Sequence, residues 1–294
     1  MLLPGGPPAT FLGVSIAARL PRLRQDVGGV ARTVDPGTLA RWVVGLAVKS
    51  PEIVRSGGLV AADRVVGDRV VRITVPSGQV ALIPGRSFSA AREIYCRNVY
   101  LRRGLEVPAG GWVVDLGANQ GMFSTLAAVM GAQVVAVEAQ PNFADEIAAL
   151  AARNRVEDRM HVVTALIKSN RSDIAATGVL TDEERWSTAT HTDGSAPVEL
   201  GMNDLLAKFG IDRIALLKID IEGGEFSLLD PADDLGWLDR VDQIAMEVHP
   251  TFGAVPELVE LYRSRGFRVE QTDNDGVTVP ASDPSVSYVY ARRP

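Results

Sequence analysis

The sequence predicts an α/β fold: a doubly wound, mostly parallel sheet with an antiparallel edge, preceded by an α+β extension. Three observations carry that prediction. From Trp112 to Tyr262, apolar runs of strand length alternate with amphipathic runs of helix length. The first of these strands passes through a glycine-spaced turn into a helix, the order that builds a ligand cleft at the carboxyl edge of a parallel sheet. The last two apolar runs, Phe267 to Glu270 and Ser287 to Ala291, have no helical pattern between them and are expected to pair as an antiparallel, hairpin-like edge.

The elements follow in order. The first eight residues are rich in proline and glycine and are expected to be disordered. Thr38 to Val48 predicts a short helix, with Leu39, Trp42, Val43 and Leu46 on one face. Val70 to Val75 and Gln79 to Ile83 predict strands joined at Ser77-Gly78. Ser89 to Leu101 predicts a helix leading into the core. Strands then end at Asp115 and Glu138, and the helix after the first buries Phe123, Leu126, Ala127 and Met130. Pro141 opens a helix with Phe143, Ile147 and Leu150 inward. His161 to Ala165 is the third strand of this series. Residues 169–197 are polar and irregular, expected to hold an edge hairpin or a substrate loop. A helix from Met202 to Phe209 stops at Gly210, a good C-cap. Ile214 to Ile221 and Gln243 to His249 are strands four and five, and Pro256 begins a helix that stops at Gly266. Residues 1–110 form the N-terminal extension, which caps the site or mediates homo-oligomerisation. Residues 111–294 are expected to form the α/β domain.

Composition narrows the class. The chain has 294 residues, 46% hydrophobic and 22% charged, enough for a globular domain with a substantial core. Its single cysteine, Cys96, excludes an intrachain disulfide framework and fits a reducing, cytoplasmic setting. No apolar run is long enough to span a bilayer. Thr10 to Leu20 lacks a preceding basic stretch, so a secretory leader is not expected. Charge is uneven: residues 1–110 hold 15 basic and 7 acidic side chains, the remainder 15 and 29. The basic arm either packs on the chain's own acidic half or docks on an acidic partner.

The chemistry concentrates in two segments. In Val113-Val114-Asp115-Leu116-Gly117-Ala118-Asn119-Gln120-Gly121 an acid precedes the glycines. A dinucleotide loop reads G-x-G-x-x-G and cradles a pyrophosphate, which Asp115 would repel. A cofactor with a cationic amino-acid end suits the position, and S-adenosylmethionine (SAM) carries a sulfonium and an ammonium there. Asp115 and the backbone of Gly117 to Gly121, Asn119 included, are therefore expected to orient SAM. Glu138, 23 residues beyond Asp115, is placed to bind ribose hydroxyls, with Ala139 beside it and the backbone near Ala165 facing the adenine.

The second segment is Leu217-Lys218-Ile219-Asp220-Ile221-Glu222-Gly223-Gly224-Glu225. Charges crowding the end of a buried strand need partners or a task. With Glu247 and His249 at the end of the neighbouring strand, Asp220 and Glu222 are expected around one crevice. His249 or Asp220 would take a proton from an acceptor hydroxyl, and Lys218 would offset the negative charge. A divalent ion, the less favoured reading, would sit on Asp220, Glu247 and His249.

Together these segments resemble the FkbM family of SAM-dependent methyltransferases. The similarity lies in VVDLGANQGMFS (113–124), AVEAQPNF (136–143), NDLLAKFGID (203–212), LKIDIEGGEF (217–226), EVHP (247–250) and REIYCRNVY (92–100), within roughly residues 88–292. The family commonly has an aspartate pair where this chain has Asn203-Asp204. The resemblance implies a seven-stranded class I, Rossmann-like fold and methyl transfer, usually to a hydroxyl of a sugar, glycolipid or natural product. It implies that Asp115, Gly117, Asn119 and Gly121 line the methionine end of SAM. It also implies that Glu138 holds the ribose, and that Asp220 and Glu222 sit at the reaction centre. Three rivals stand beside it. An NAD-dependent oxidoreductase would need a dinucleotide loop, which Asn119 argues against. A non-catalytic nucleotide-binding module would leave the charges at 218–225 without a task. A methyltransferase acting on RNA or other nucleic acid would use the basic arm, but the motif for amino-group methylation of bases is missing after strand four.

Overall fold

The computed structural model describes residues 16–168 and 198–294, so the expectations for residues 1–8 and 169–197 lie outside the described residues. The extension contributes helices α1 (Ile16–Thr33), α2 (Pro36–Val48), α3 (Ser50–Ser56), α4 (Val60–Asp63) and α5 (Phe88–Ala91), with an antiparallel hairpin of β1 (Val70–Thr74) and β2 (Val80–Pro84). The remainder alternates: β3 (Trp112–Leu116), α6 (Met122–Val129), β4 (Gln133–Glu138), α7 (Asn142–Asn154) and β5 (Met160–Thr164). After β6 (Leu166–Lys168) and β7 (Glu199–Gly201) come α8 (Met202–Phe209), β8 (Ile214–Ile219), α9 (Glu225–Leu228), β9 (Gln243–Glu247), α10 (Val255–Ser264), β10 (Arg268–Asp273) and β11 (Val286–Arg292).

Seven strands form the central sheet in the order β10-β11-β9-β8-β3-β4-β5. Only β11 runs against its neighbours. It lies between β9 and β10, so the reversed strand is one in from the edge. Strand order turns back between β3 and β8, which opens a crevice at their carboxyl ends. Both faces of the sheet are covered, so successive residues are buried on opposite sides. Val113, Val134 and Ala136 join one apolar cluster with the extension, α6 and α7; Val114, Val135 and Val137 join the other with α8 and α10.

The extension packs on the sheet through the first apolar cluster, and a buried polar knot ties its own helices together. Arg92 bridges Asp26 and Asp63, at 2.5 and 3.0 Å, and Trp42 donates to Asp63 at 2.8 Å. Part of the arm's positive charge is met by the chain's own later residues: Arg22 lies 3.8 Å from Asp275, and Arg103 lies 3.6 Å from Glu270. On α2, Trp42 is fully buried but Val43 is 48% exposed, so the predicted face is narrower than its four apolar residues. The predicted helix 89–101 is interrupted. After α5 the chain makes one π-type turn, Arg92–Cys96, and Asn98 adopts a left-handed φ of 51° that ends it. Strands β8 and β9 stop at Ile219 and Glu247, two residues earlier than the sequence predicts. Asp220, Glu222 and His249 therefore lie beyond the strand ends, where two-residue alternation does not fix direction. Among the described residues, no helix is long and apolar enough to cross a membrane.

Candidate active site

The acid at the end of β3 is sealed beneath the site. Asp115 and Lys218 are register partners on adjacent parallel strands, so their side chains leave the sheet on the same face. The Lys218 ammonium lies 3.0 Å from Asp115, which is 0% exposed, and the Ser124 hydroxyl donates to the other carboxylate oxygen at 2.6 Å. Lys218 also donates to the Gly117 carbonyl at 2.7 Å and lies 3.5 Å from Asp220. Burial alone would discharge it, but Asp115 and then Asp220 raise its pKa, so it remains an ammonium. Asp115 is not among the residues that line the cleft. Lys218 is likewise a strut beneath the turn.

The glycine loop is closed on itself. Gly117 and Ala118 N–H donate to the Val137 carbonyl at 3.0 and 2.9 Å, and Asn119 N–H to Glu138 at 2.8 Å. Gln120 N–H donates to the Asn119 side chain and Gly121 N–H to Ala118 O, both at 2.8 Å. Positive φ at Gly117 (75°), Asn119 (48°) and Gly121 (76°) makes this winding possible. Every amide from 117 to 121 has an internal acceptor. The same fact disfavours a pyrophosphate, which needs those donors.

A solvent-open cleft of about 800 Å³ lies over the loop. Gly117, Asn119, Glu138, Ala139 and Ala165 line it; Gly121 lies behind it, against Ile147. Glu138 oxygens accept from Asn119 and Gln140 N–H at 2.8 and 2.9 Å. Each carboxylate oxygen has two acceptor positions, so capacity for diol hydroxyls remains. Burial raises the Glu138 pKa, and those two amides partly offset it. Phe143, Ala165 and Ile167 give one stretch of wall an apolar surface suited to a purine, while Asp220 and Glu222 make the other end acidic. A ribose anchor, an apolar slot and an acidic end fit SAM.

Two networks flank that acidic end. In the first, the Tyr100 hydroxyl lies 2.9 Å from Asp220 and 3.0 Å from Glu247. In the second, His249 Nδ1 lies 2.9 Å from Glu225 and Nε2 lies 3.3 Å from Glu222. Burial would lower the His249 pKa, but hydrogen bonds to Glu222 and Glu225 and their charges push it up to about 11. His249 is thus an imidazolium near neutral pH and has no vacant position for a proton. Glu222, at a left-handed φ of 52°, is held below its usual pKa mainly by His249. The acids and histidine of the crevice are therefore brought near one another, but Glu247 and His249 belong to different networks. Among the described residues, the potential ligand atoms within 4.8 Å of one another come from Asp220, Glu222 and His249, without Glu247. Each of these three already has an ion-pair partner within the chain: Asp220 lies 3.5 Å from Lys218, and Glu222 lies 3.3 Å from His249.

Sequence reasoning missed Tyr100 and Glu225 as site residues. Both lie inside motifs quoted for the resemblance, but nothing in their local spacing points across 120 residues to Asp220 or from Glu225 to a histidine 24 residues on.

Residues 115–269 match the family described as Methyltransferase FkbM domain. The chain belongs to the FkbM methyltransferase family. Within it, the chain is 30% identical over 236 residues to "31-O-demethyl-FK506 methyltransferase FkbM" of Streptomyces tacrolimicus, covering 69% of this chain and 90% of that one. It is 24% identical to "Methyltransferase sdnD" of Sordaria araneosa, covering 60% and 81%. Among solved structures, an O-methyltransferase from Bacillus cereus in complex with SAH aligns at a TM-score of 0.37 and 14% identity, covering 62% of this chain and 74% of that one.

Proposed function

We propose that this FkbM-family protein is an O-methyltransferase that binds SAM in the cleft over the glycine loop and methylates a hydroxyl of a sugar, glycolipid or natural product. The observation that carries the reading is the closed loop. With every amide from Gly117 to Gly121 engaged internally, the cleft presents carboxylates rather than N–H donors, the chemistry that suits a cationic cofactor. The name of the Streptomyces relative, which describes methylation at an oxygen, supports the hydroxyl acceptor.

Bound SAM supplies a methyl group activated by a sulfonium. Glu138 accepts hydrogen bonds from the ribose, Phe143 and Ile167 pack on the adenine, and Asp220 with Glu222 faces the cationic end. Asp220 takes the acceptor proton, since His249 already holds one. Lys218 fixes Asp220 and the loop from below. Positioning and exclusion of water supply much of the acceleration.

Incubating the purified chain with methyl-labelled SAM and a panel of hydroxylated sugars and polyketides tests this. The expected result is label on an acceptor oxygen, abolished by Asp220→Ala without loss of fold. An active Asp220→Ala variant would remove Asp220 from the reaction.

A further inference from the structure

The Tyr100 hydroxyl faces two carboxylates but owns one hydrogen. If it donates to Asp220 at 2.9 Å, its 3.0 Å contact with Glu247 needs a second hydrogen, which only a protonated carboxyl supplies. Lys218 stands 3.5 Å from Asp220, whereas among the described residues Glu247 has no cation within 4.0 Å. The extra proton therefore belongs on Glu247. Burial, then Asp220 and Glu93, raise the Glu247 pKa to about 7. Tyr100 is rigidly placed: its ring meets Phe123 and Tyr288 edge-on at 5.3 and 6.0 Å, and Tyr290 donates to the neighbouring Val99 carbonyl at 2.7 Å.

We propose that Tyr100 and Glu247 extend Asp220 into a chain that holds one proton in the free enzyme, releases it when a sulfonium cation enters the cleft, and then receives the proton of the acceptor hydroxyl. The inference rests on the SAM reading above. In the transfer step the acceptor oxygen–methyl bond forms as the sulfur–methyl bond breaks. The hydroxyl proton goes to Asp220, Asp220 protonates the Tyr100 oxygen, and the Tyr100 hydrogen moves to Glu247. Tyr100 ends as it began, and the proton released on cofactor entry is regained. Tyr100 and Glu247 act through Asp220 and are positioning residues.

Around Glu247 stand Tyr100, Asp220 with Lys218, Tyr288 across on β11, His249, and Glu93 with its partner Arg97. Lys218, Tyr100 and Tyr288 are raised, and His249 lies near 11, so none of these four titrates between pH 6 and 8. Glu138, whose pKa burial also raises, lines the same cleft, so the Glu247→Gln and Tyr100→Phe variants assign the release to the Glu247 chain.

The test is calorimetric titration of SAM into the full chain at pH 6, 7 and 8, in buffers of different ionisation enthalpy. The wild type is expected to release up to about one proton at pH 6 and little at pH 8, with affinity rising by at most about tenfold per pH unit below 7. S-adenosylhomocysteine, which lacks the sulfonium charge, should release less. Glu247→Gln should bind SAM with no proton release and a flat pH profile. Tyr100→Phe, which keeps the ring packing, should lose most of the release, and Glu247→Asp should restore the linkage lost in Glu247→Gln. SAM binding without proton release in the wild type, or with release unchanged in Glu247→Gln and Tyr100→Phe, overturns this proposal alone. Failure of SAM to bind at all overturns the functional reading and this one with it.

Discussion

Replacing Lys218 with methionine should cost the fold far more than a surface charge would. Lys218 is 3% exposed, and its ammonium is the cation beside the fully buried Asp115. Methionine fills similar volume but leaves Asp115 with Ser124 as its remaining polar contact, and leaves the Gly117 carbonyl without its 2.7 Å donor. Breaking a buried pair by removing one partner costs about 3–5 kcal/mol, because an uncompensated charge stays behind. At roughly 2–4 °C per kcal/mol for a chain of this size, the melting temperature should fall by about 6–20 °C. Adding Asp115→Asn removes the stranded charge while keeping an acceptor for Ser124, so the double variant should recover at least half the loss. Thermal and urea unfolding of the wild type, both singles and the double closes the cycle. A loss under about 1 kcal/mol in Lys218→Met, or a double variant worse than Lys218→Met alone, would refute the reasoning that Asp115 is a sealed structural anion.

Other outcomes follow from the same geometry. Gly117→Ala puts a methyl group 1.7 Å from the Asp220 carbonyl at a φ of 75°, so the loop or the Asp220 turn must move. SAM affinity should drop at least tenfold in a titration, and unchanged affinity would contradict the close approach. Glu138→Ala removes the proposed ribose acceptor and should weaken SAM by about 10- to 100-fold, the range for a hydrogen bond to a charged group. His249 has a folded pKa near 11 against an unfolded 6.5, so its contribution to stability is fully present below 6.5 and is lost as pH rises toward 11. The gap in urea midpoint between wild type and His249→Asn should therefore shrink from pH 7 to 10, and a constant gap would show that His249 is not held by Glu222 and Glu225.

How much of this was readable in advance depends on how local the information is. The β3–loop–α6 unit was legible because apolar runs and glycine spacing encode geometry within ten residues. The sequence does not show the register between β3 and β8. Once β8 is the neighbour, the register pairs Asp115 with Lys218 and the acid is neutralised from below. The charges at 218–225 were correctly singled out as needing partners. Their directions were not readable, since β8 ends at Ile219 and the turn at Glu222 takes a left-handed φ. Tyr100 reaches Asp220 only through the packing of the segment after the π-type turn, a long-range event with no periodic trace. The hairpin of β1 and β2 was visible from alternation and Ser77-Gly78, whereas α3 and the β6–β7 pair carried no signal strong enough to predict.

The most direct test of the central claim is a competition titration of the full chain with SAM and NADH. One SAM should bind per chain, and NADH should neither bind nor displace it, because the loop from Gly117 to Gly121 has no free amide for a pyrophosphate. Binding of NADH in that cleft with no binding of SAM would contradict it.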